Sequence, residues 1–75
     1  MSALRKIRIE KGLHIKEVAE VVKIPVPTLY DVESGRKGII AWKAQKLASF
    51  LKEPVETLFN PTYYTVKHNS ISTPQ

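Results

Sequence analysis

The sequence predicts an all-α domain that contains five short helices. Apolar residues recur at helical spacings of three and four, for example at Val18, Ala19 and Val22. Glycines and prolines stand between the apolar segments, where they are suited to end one helix or to begin the next. The chain has 75 residues, 43% of them hydrophobic, which suffices for one small core. It contains no cysteine, so neither disulfides nor thiolate-bound metal can support that core.

The first two helices are predicted over residues 3–11 and 15–22 by their apolar spacing. Gly12 is placed to end the first helix, because glycine readily takes the left-handed conformation that follows many helices. Lys23 occupies the corresponding position after the second helix, where a positive φ costs a residue with a side chain on the order of 1 kcal/mol. The sequence therefore predicts a tight turn at Lys23 in spite of the missing glycine.

Three more helices are predicted after this turn. The third begins at Pro27, because the proline ring disfavours a helical conformation at Val26, and it ends at Gly35. The apolar spacing predicts a fourth helix over residues 40–51 and a fifth over residues 55–59.

Residues 61–75 lack helical periodicity and are rich in serine, threonine and asparagine. This composition predicts a flexible, disordered C-terminal tail after a folded domain of residues 1–60. The alternative is that Tyr63, Tyr64 and Val66 form a short strand that pairs with a partner.

The second and third helices, with the short break between them, have the pattern of a helix-turn-helix motif. Such a motif usually presents its second helix to the major groove of DNA. The formal net charge of +5 and the isoelectric point near 9.7 favour polyanionic partners through long-range attraction and counterion release. Double-stranded DNA is therefore the expected partner.

A series of residues between Leu4 and Phe59 also occurs in the order and spacing of a known family. These residues are Arg8, Gly12-Leu13, Glu17-Val18-Ala19-Glu20, Ile24, Thr28-Leu29, Glu33, Gly35, Leu47-Ala48, Leu51 and residues 55–58. In them the chain resembles the Cro/C1-type helix-turn-helix regulators, which are small repressor domains of phages and bacteria. The resemblance implies a five-helix, Cro/C1 repressor-like DNA-binding domain. It also implies an ion pair between Arg8 and Glu33, to which the alternative is that both side chains are solvated and unpaired.

The resemblance places the DNA-contacting surface on the third helix and the loop that follows it. Base recognition would rest on Thr28, Tyr30 and Asp31, because proline and valine side chains offer no hydrogen bonds to base edges. The chain departs from the family at Ile15, where the family often has a glutamine that touches a phosphate. The residues expected to face bases or a protein partner are Pro25, Val26, Pro27, Thr28, Tyr30, Asp31 and Ser34. Those expected to contact phosphates are Lys16, Arg36, Lys37 and Lys43.

The sequence favours a transcriptional regulator that binds operator DNA in a phage or mobile-element genetic switch. The alternative is an antirepressor or modulator that uses the same face to bind another repressor protein. A stiff apolar patch supports that alternative, and beside it Asp31 would pair with a basic partner. The patch consists of Pro25, Val26, Pro27 and Tyr30.

Other classes of function find little support in the sequence. We expect no enzyme, cofactor or metal site, because His14 and His68 are far apart and no phosphate-binding glycine loop or metal-spaced cluster occurs. No apolar run approaches ~20 residues, so we expect a cytoplasmic protein without a membrane span.

Two parts of the chain bear on its oligomeric state. The segment from Val55 to Phe59, together with the tail, is expected to form a homodimer contact, because the resembling repressors dimerise in this region. A monomer is the alternative, since one short helix buries little area. Trp42 lies off the inner face of the fourth helix and is expected to cover the edge of the core, with a subunit contact as its alternative.

Overall fold

The computed structural model describes residues 1–61 and 63–68, and it confirms the all-α, five-helix prediction. No helix in these two ranges is long and apolar enough to cross a lipid bilayer. Thr62 and residues 69–75 lie outside the described residues, together with that part of the predicted tail. The helices are α1 (Ala3–Glu10), α2 (Ile15–Val22), α3 (Val26–Ser34), α4 (Ala41–Leu51) and α5 (Val55–Leu58).

Local contacts fix the ends of the first two helices. Ser2 caps α1, because its hydroxyl accepts a hydrogen bond of 3.2 Å from the backbone N–H of Arg5. At the start of α2, the Glu17 carboxylate accepts a hydrogen bond of 2.7 Å from the backbone N–H of His14. Lys23 follows α2 with φ 58° and ψ 48°, which confirms the left-handed turn predicted at this residue.

The start of α3 differs from the sequence prediction. The helix begins at Val26 rather than at Pro27, and Pro25 is the residue that precedes it. Proline is tolerated in the first turn of a helix, because the N–H groups of that turn have no acceptor within the helix. The bias of Pro27 against a helical Val26 is overcome by packing, since Val26 is half-buried against the core.

All five helices contribute their inward faces to one core. α2 packs against α3 and α4, while α5 packs against α4 and α1. Ala19 of α2 is buried in this core, and its small side chain allows close packing of the helices around it. The largest side chains that are less than 2% exposed are Leu4, Val18, Val22, Leu29, Val32, Leu47, Leu51, Leu58 and Phe59.

Residues 63–68, here named the C-terminal strap, pack against the domain. Val66 is buried in the core and pairs with Phe59 in an isolated antiparallel bridge. On the other side of the strap, the backbone N–H of Ala3 donates to the carbonyl of Lys67 over 2.7 Å. The strap, which lies within the predicted tail, is therefore held on the domain by core burial and by backbone pairing near both ends of the domain.

The residues of the predicted homodimer contact differ in burial. Leu58 and Phe59 are almost fully buried in the core of their own chain, whereas Val55 is half-buried. A homodimer contact from Val55 to Phe59 and the tail stays a prediction.

A buried ion pair joins α1 to α3. Arg8 Nε donates to Glu33 Oε2 over 2.6 Å, and Arg8 Nη2 donates to Glu33 Oε1 over 3.2 Å. Arg8 Nη1 donates to the carbonyl of Leu13 over 2.8 Å, which fixes the loop between α1 and α2. The two side chains are only 10% and 3% exposed. The pair that the resemblance implied is thus present, and the solvated alternative is wrong.

Replacing Arg8 with alanine is expected to lower the free energy of unfolding by about 3–5 kcal/mol, because Glu33 would stay buried without its partner. Urea unfolding followed by circular dichroism measures this change. Lys6→Ala is the matched control on the same helix, since Lys6 makes only an exposed pair with Glu10 at 3.8 Å. The control is expected to change the free energy by less than about 0.5 kcal/mol. A loss below about 1 kcal/mol in Arg8→Ala would mean that Glu33 behaves as a surface carboxylate.

The role of the strap can be measured in the same way. Val66→Ala is expected to lower the free energy of unfolding by about 1–3 kcal/mol, because it removes buried methyl groups beside Phe59. Tyr63→Ala is the control within the strap, since Tyr63 is 77% exposed. Equal effects of the two substitutions would contradict the packing of Val66 into the core.

Candidate nucleic-acid interface

α3 has one side in the core and the other open to solvent. Leu29 and Val32 are fully buried, whereas Tyr30 is 51% exposed. Gly35 ends the helix in the left-handed conformation with φ 89°. The rest of the outer face is exposed or half-buried, and it consists of Pro25, Pro27, Thr28, Asp31 and Ser34. The structure therefore brings the predicted base-facing residues together on one surface, with Val26 half-buried at its edge.

A groove opens where the start of α3 meets α2. Lys16 and Lys23 line it with positive charge, and Glu17 and Glu20 line it with negative charge. The apolar wall is provided in part by Val26. This end of α3 can make apolar contacts but offers no side-chain hydrogen bonds of its own, as the proline and valine residues had predicted.

Asp31 and Arg36 form an ion pair on the outer face of α3. Arg36 Nε and Nη2 both donate to Asp31 Oδ1, over 3.0 and 2.8 Å. The Arg36 side chain is 68% exposed and the Asp31 side chain is 35% exposed, so the pair is open to solvent. From the sequence, Asp31 was expected to contact bases and Arg36 to contact phosphates. In the structure they offset each other's charge before any ligand is present.

Lys43 stabilises the turn between α2 and α3. Its Nζ donates to the carbonyl of Lys23 over 3.1 Å and lies 5.6 Å from the centre of the Trp42 ring. Lys43 thus caps the end of α2 from α4, close to the surface where a phosphate contact was predicted. Trp42 is 55% exposed, so the expectation that it covers the edge of the core is wrong.

A second groove runs beside the C-terminal half of α3. Arg5 of α1 lines it, together with Tyr30 and Ser34 of α3, Arg36 of the following loop and His68 of the strap. Arg5 was not among the site residues predicted from the sequence. Its spacing three residues before Arg8 was an available signal, because this places both side chains on the same flank of α1.

The fold and the exposed α3 define a helix-turn-helix domain. The helix-turn-helix family matches residues 4–58, which is more than half of the chain. The chain therefore belongs to this family, whose Cro/C1-type members are DNA-binding transcription regulators.

Among curated proteins, the chain is similar to the HTH-type transcriptional regulator DdrOP3 of Deinococcus deserti. The two sequences are 44% identical over 46 residues, which make up 61% of this chain and 36% of the relative. The chain thus covers about a third of the length of the curated relative that it matches. No solved structure matches the chain.

The two ion pairs of α3 differ in exposure and should differ in their contribution to stability. Arg36→Ala is expected to change the free energy of unfolding by less than about 1 kcal/mol, because its pair with Asp31 is screened by water. Urea unfolding of Arg36→Ala and Asp31→Asn checks this. A loss of about 2 kcal/mol or more would show that the pair holds α3 in place rather than tuning its surface charge.

Proposed function

We propose that this chain is a transcriptional regulator that binds operator DNA by placing α3 in the major groove. The observation that carries the proposal is the geometry of α3, whose inner side is locked into the core while its outer side is open to solvent. Membership of the helix-turn-helix family supports it, since this motif usually docks its second helix in the major groove. The net charge of +5 favours the same partner.

In this mode, base contacts come from three side chains of α3. Thr28 bonds a base or a phosphate, Tyr30 stacks or bonds through its hydroxyl group, and Asp31 accepts from the amino group of a cytosine. Arg36 lowers the repulsion between Asp31 and nearby phosphates, because the two side chains are already paired. The apolar start of α3 contacts thymine methyl groups and follows the shape of the groove.

Phosphate contacts come from the basic residues that surround α3. Lys37 follows the helix, Lys16 lies on α2, and Lys43 lies next to the turn. With Arg36 this gives four contacts, which corresponds to a slope near −4 in a plot of log affinity against log salt, at ~0.9 per phosphate. We therefore expect the affinity for DNA to fall steeply as the salt concentration rises.

The biological setting that we propose is a phage or mobile-element genetic switch, in keeping with the small Cro/C1-type regulators that the chain resembles. A second candidate function is that of an antirepressor, which would bind another repressor protein through the outer face of α3. The observation that favours this candidate is the apolar start of α3, where Pro25 and Pro27 are exposed and Val26 is half-buried.

A salt-titrated fluorescence anisotropy assay tests the proposed function. The purified chain is titrated with duplex DNA from its own locus and with scrambled DNA of the same length and composition. We expect tighter binding of the locus DNA, and a slope reduced by about 2 in Arg36→Ala/Lys37→Ala. Lys46→Ala/Lys52→Ala removes the same charge from α4 and from the residue that follows it, away from the turn that Lys43 contacts, and serves as the matched control.

Equal binding of locus and scrambled DNA, or no binding at all, would contradict the operator-binding proposal. The second candidate would then be tested with the repressor encoded at the same locus as the titrant. Complex formation that is lost in Pro25→Ser/Val26→Ser would assign the start of α3 to a protein partner.

A further inference from the structure

The groove beside the C-terminal half of α3 has a guanidinium group on each of two walls. Arg5 belongs to α1 and Arg36 to the loop after α3, and Tyr30 and Ser34 of the outer face of α3 also line the groove. The groove has a volume of about 440 Å³, which is ample for a phosphodiester group. Because Tyr30 and Ser34 line it, the groove adjoins the outer face of α3, which faces DNA in the proposed complex. It also includes Arg5 of α1, a helix outside the helix-turn-helix motif.

The charge balance of this groove is positive. Glu33 lines its floor, but both carboxylate oxygens of Glu33 accept hydrogen bonds from Arg8. Arg36 uses Nε and Nη2 for Asp31, which leaves other N–H donors of its guanidinium for a ligand. Arg5 adds a further positive charge to the groove.

Among residues 1–61 and 63–68, Arg5 takes part in hydrogen bonds only through its backbone. Its N–H caps the helix through Ser2, whereas its exposed guanidinium makes no hydrogen bond or ion pair with any side chain of residues 1–61 and 63–68. The other arginines of the chain, Arg8 and Arg36, both have carboxylate partners. An arginine side chain placed at a groove without such a partner is suited to bind an anion through two parallel hydrogen bonds.

We propose that this groove binds a phosphodiester of the DNA backbone, held between Arg5 and Arg36. This inference rests on the proposed function, because the phosphate lies at the rim of the major groove that α3 occupies. Arg5 belongs to α1, so its contact fixes the orientation of α3 on the duplex and does not read a base. The hydroxyl group of Tyr30 also lines the groove and can donate to the same phosphate, whereas the hydroxyl of Ser34 already donates to the carbonyl of Asp31 over 2.9 Å.

The test is the salt dependence of binding by Arg5→Gln, measured on locus and scrambled DNA. Loss of one phosphate contact is expected to reduce the slope by about 0.9 on both DNAs and to weaken both affinities by the same factor. Arg5→Lys keeps the charge and should retain the slope, but it should bind DNA more weakly because lysine cannot form the bidentate hydrogen bonds of arginine. Lys6→Gln removes one charge from a residue of α1 that is not in the lining of the groove and should leave the slope unchanged. Thermal unfolding confirms that the variants are folded.

The outcomes separate this inference from the proposed function. A slope for Arg5→Gln equal to that of the wild-type chain overturns the groove contact, even where locus DNA is bound specifically. Equal reduction of the slope by Arg5→Gln and Lys6→Gln also overturns it, since only net charge would then matter. Wild-type binding without sequence preference overturns the proposed function, and the slope of Arg5→Gln on scrambled DNA still decides the groove contact. Absence of any DNA binding overturns both.

Discussion

The buried pair of Arg8 and Glu33 is the constraint on which the arrangement of the helices depends. The Arg8 guanidinium donates hydrogen bonds to both carboxylate oxygens of Glu33 and to the carbonyl of Leu13. It therefore links α1, α3 and the loop before α2. Removing two charges from water is costly, and such a pair adds little net stability compared with apolar packing. Its main effect here is geometric, because α3 can occupy only the position in which Glu33 meets Arg8.

The C-terminal strap supports the same helix from its far end. Gly35 lets the strap approach closely, because a Cβ atom there would lie 3.2 Å from the imidazole of His68. Gly38 lets the strap approach the loop before α4, because a Cβ atom there would collide with the carbonyl of Tyr63. α3 is thus held by an ion pair on its inner side and by the strap after its last turn. A rigid support of this kind suits a helix whose outer face must keep one shape for recognition.

The features that depend on residues close together in the chain were predicted from the sequence. The helical periods, the left-handed turn at Lys23 and the outer face of α3 follow from neighbours in the chain and were predicted correctly. The position of Val66 was not predicted, because a single buried valine in a polar segment gives no periodic signal. The pairing of Asp31 with Arg36 was also missed, since it requires the loop after Gly35 to turn back along α3. The contact of Ala3 with Lys67 depends on the finished fold and leaves no pattern in the sequence.

The central claim is that α3 and its flanks are a preformed DNA-binding surface. The most direct test is a series of two-dimensional ¹⁵N NMR spectra recorded while DNA from the chain's own locus is added. We expect the largest amide shift changes at the exposed residues of α3 and at residues 36 and 37. The amide shifts of core residues in α4 and α5 should change little. Changes that are centred on the strap and α5, or spectra that do not respond to the DNA, would contradict the claim.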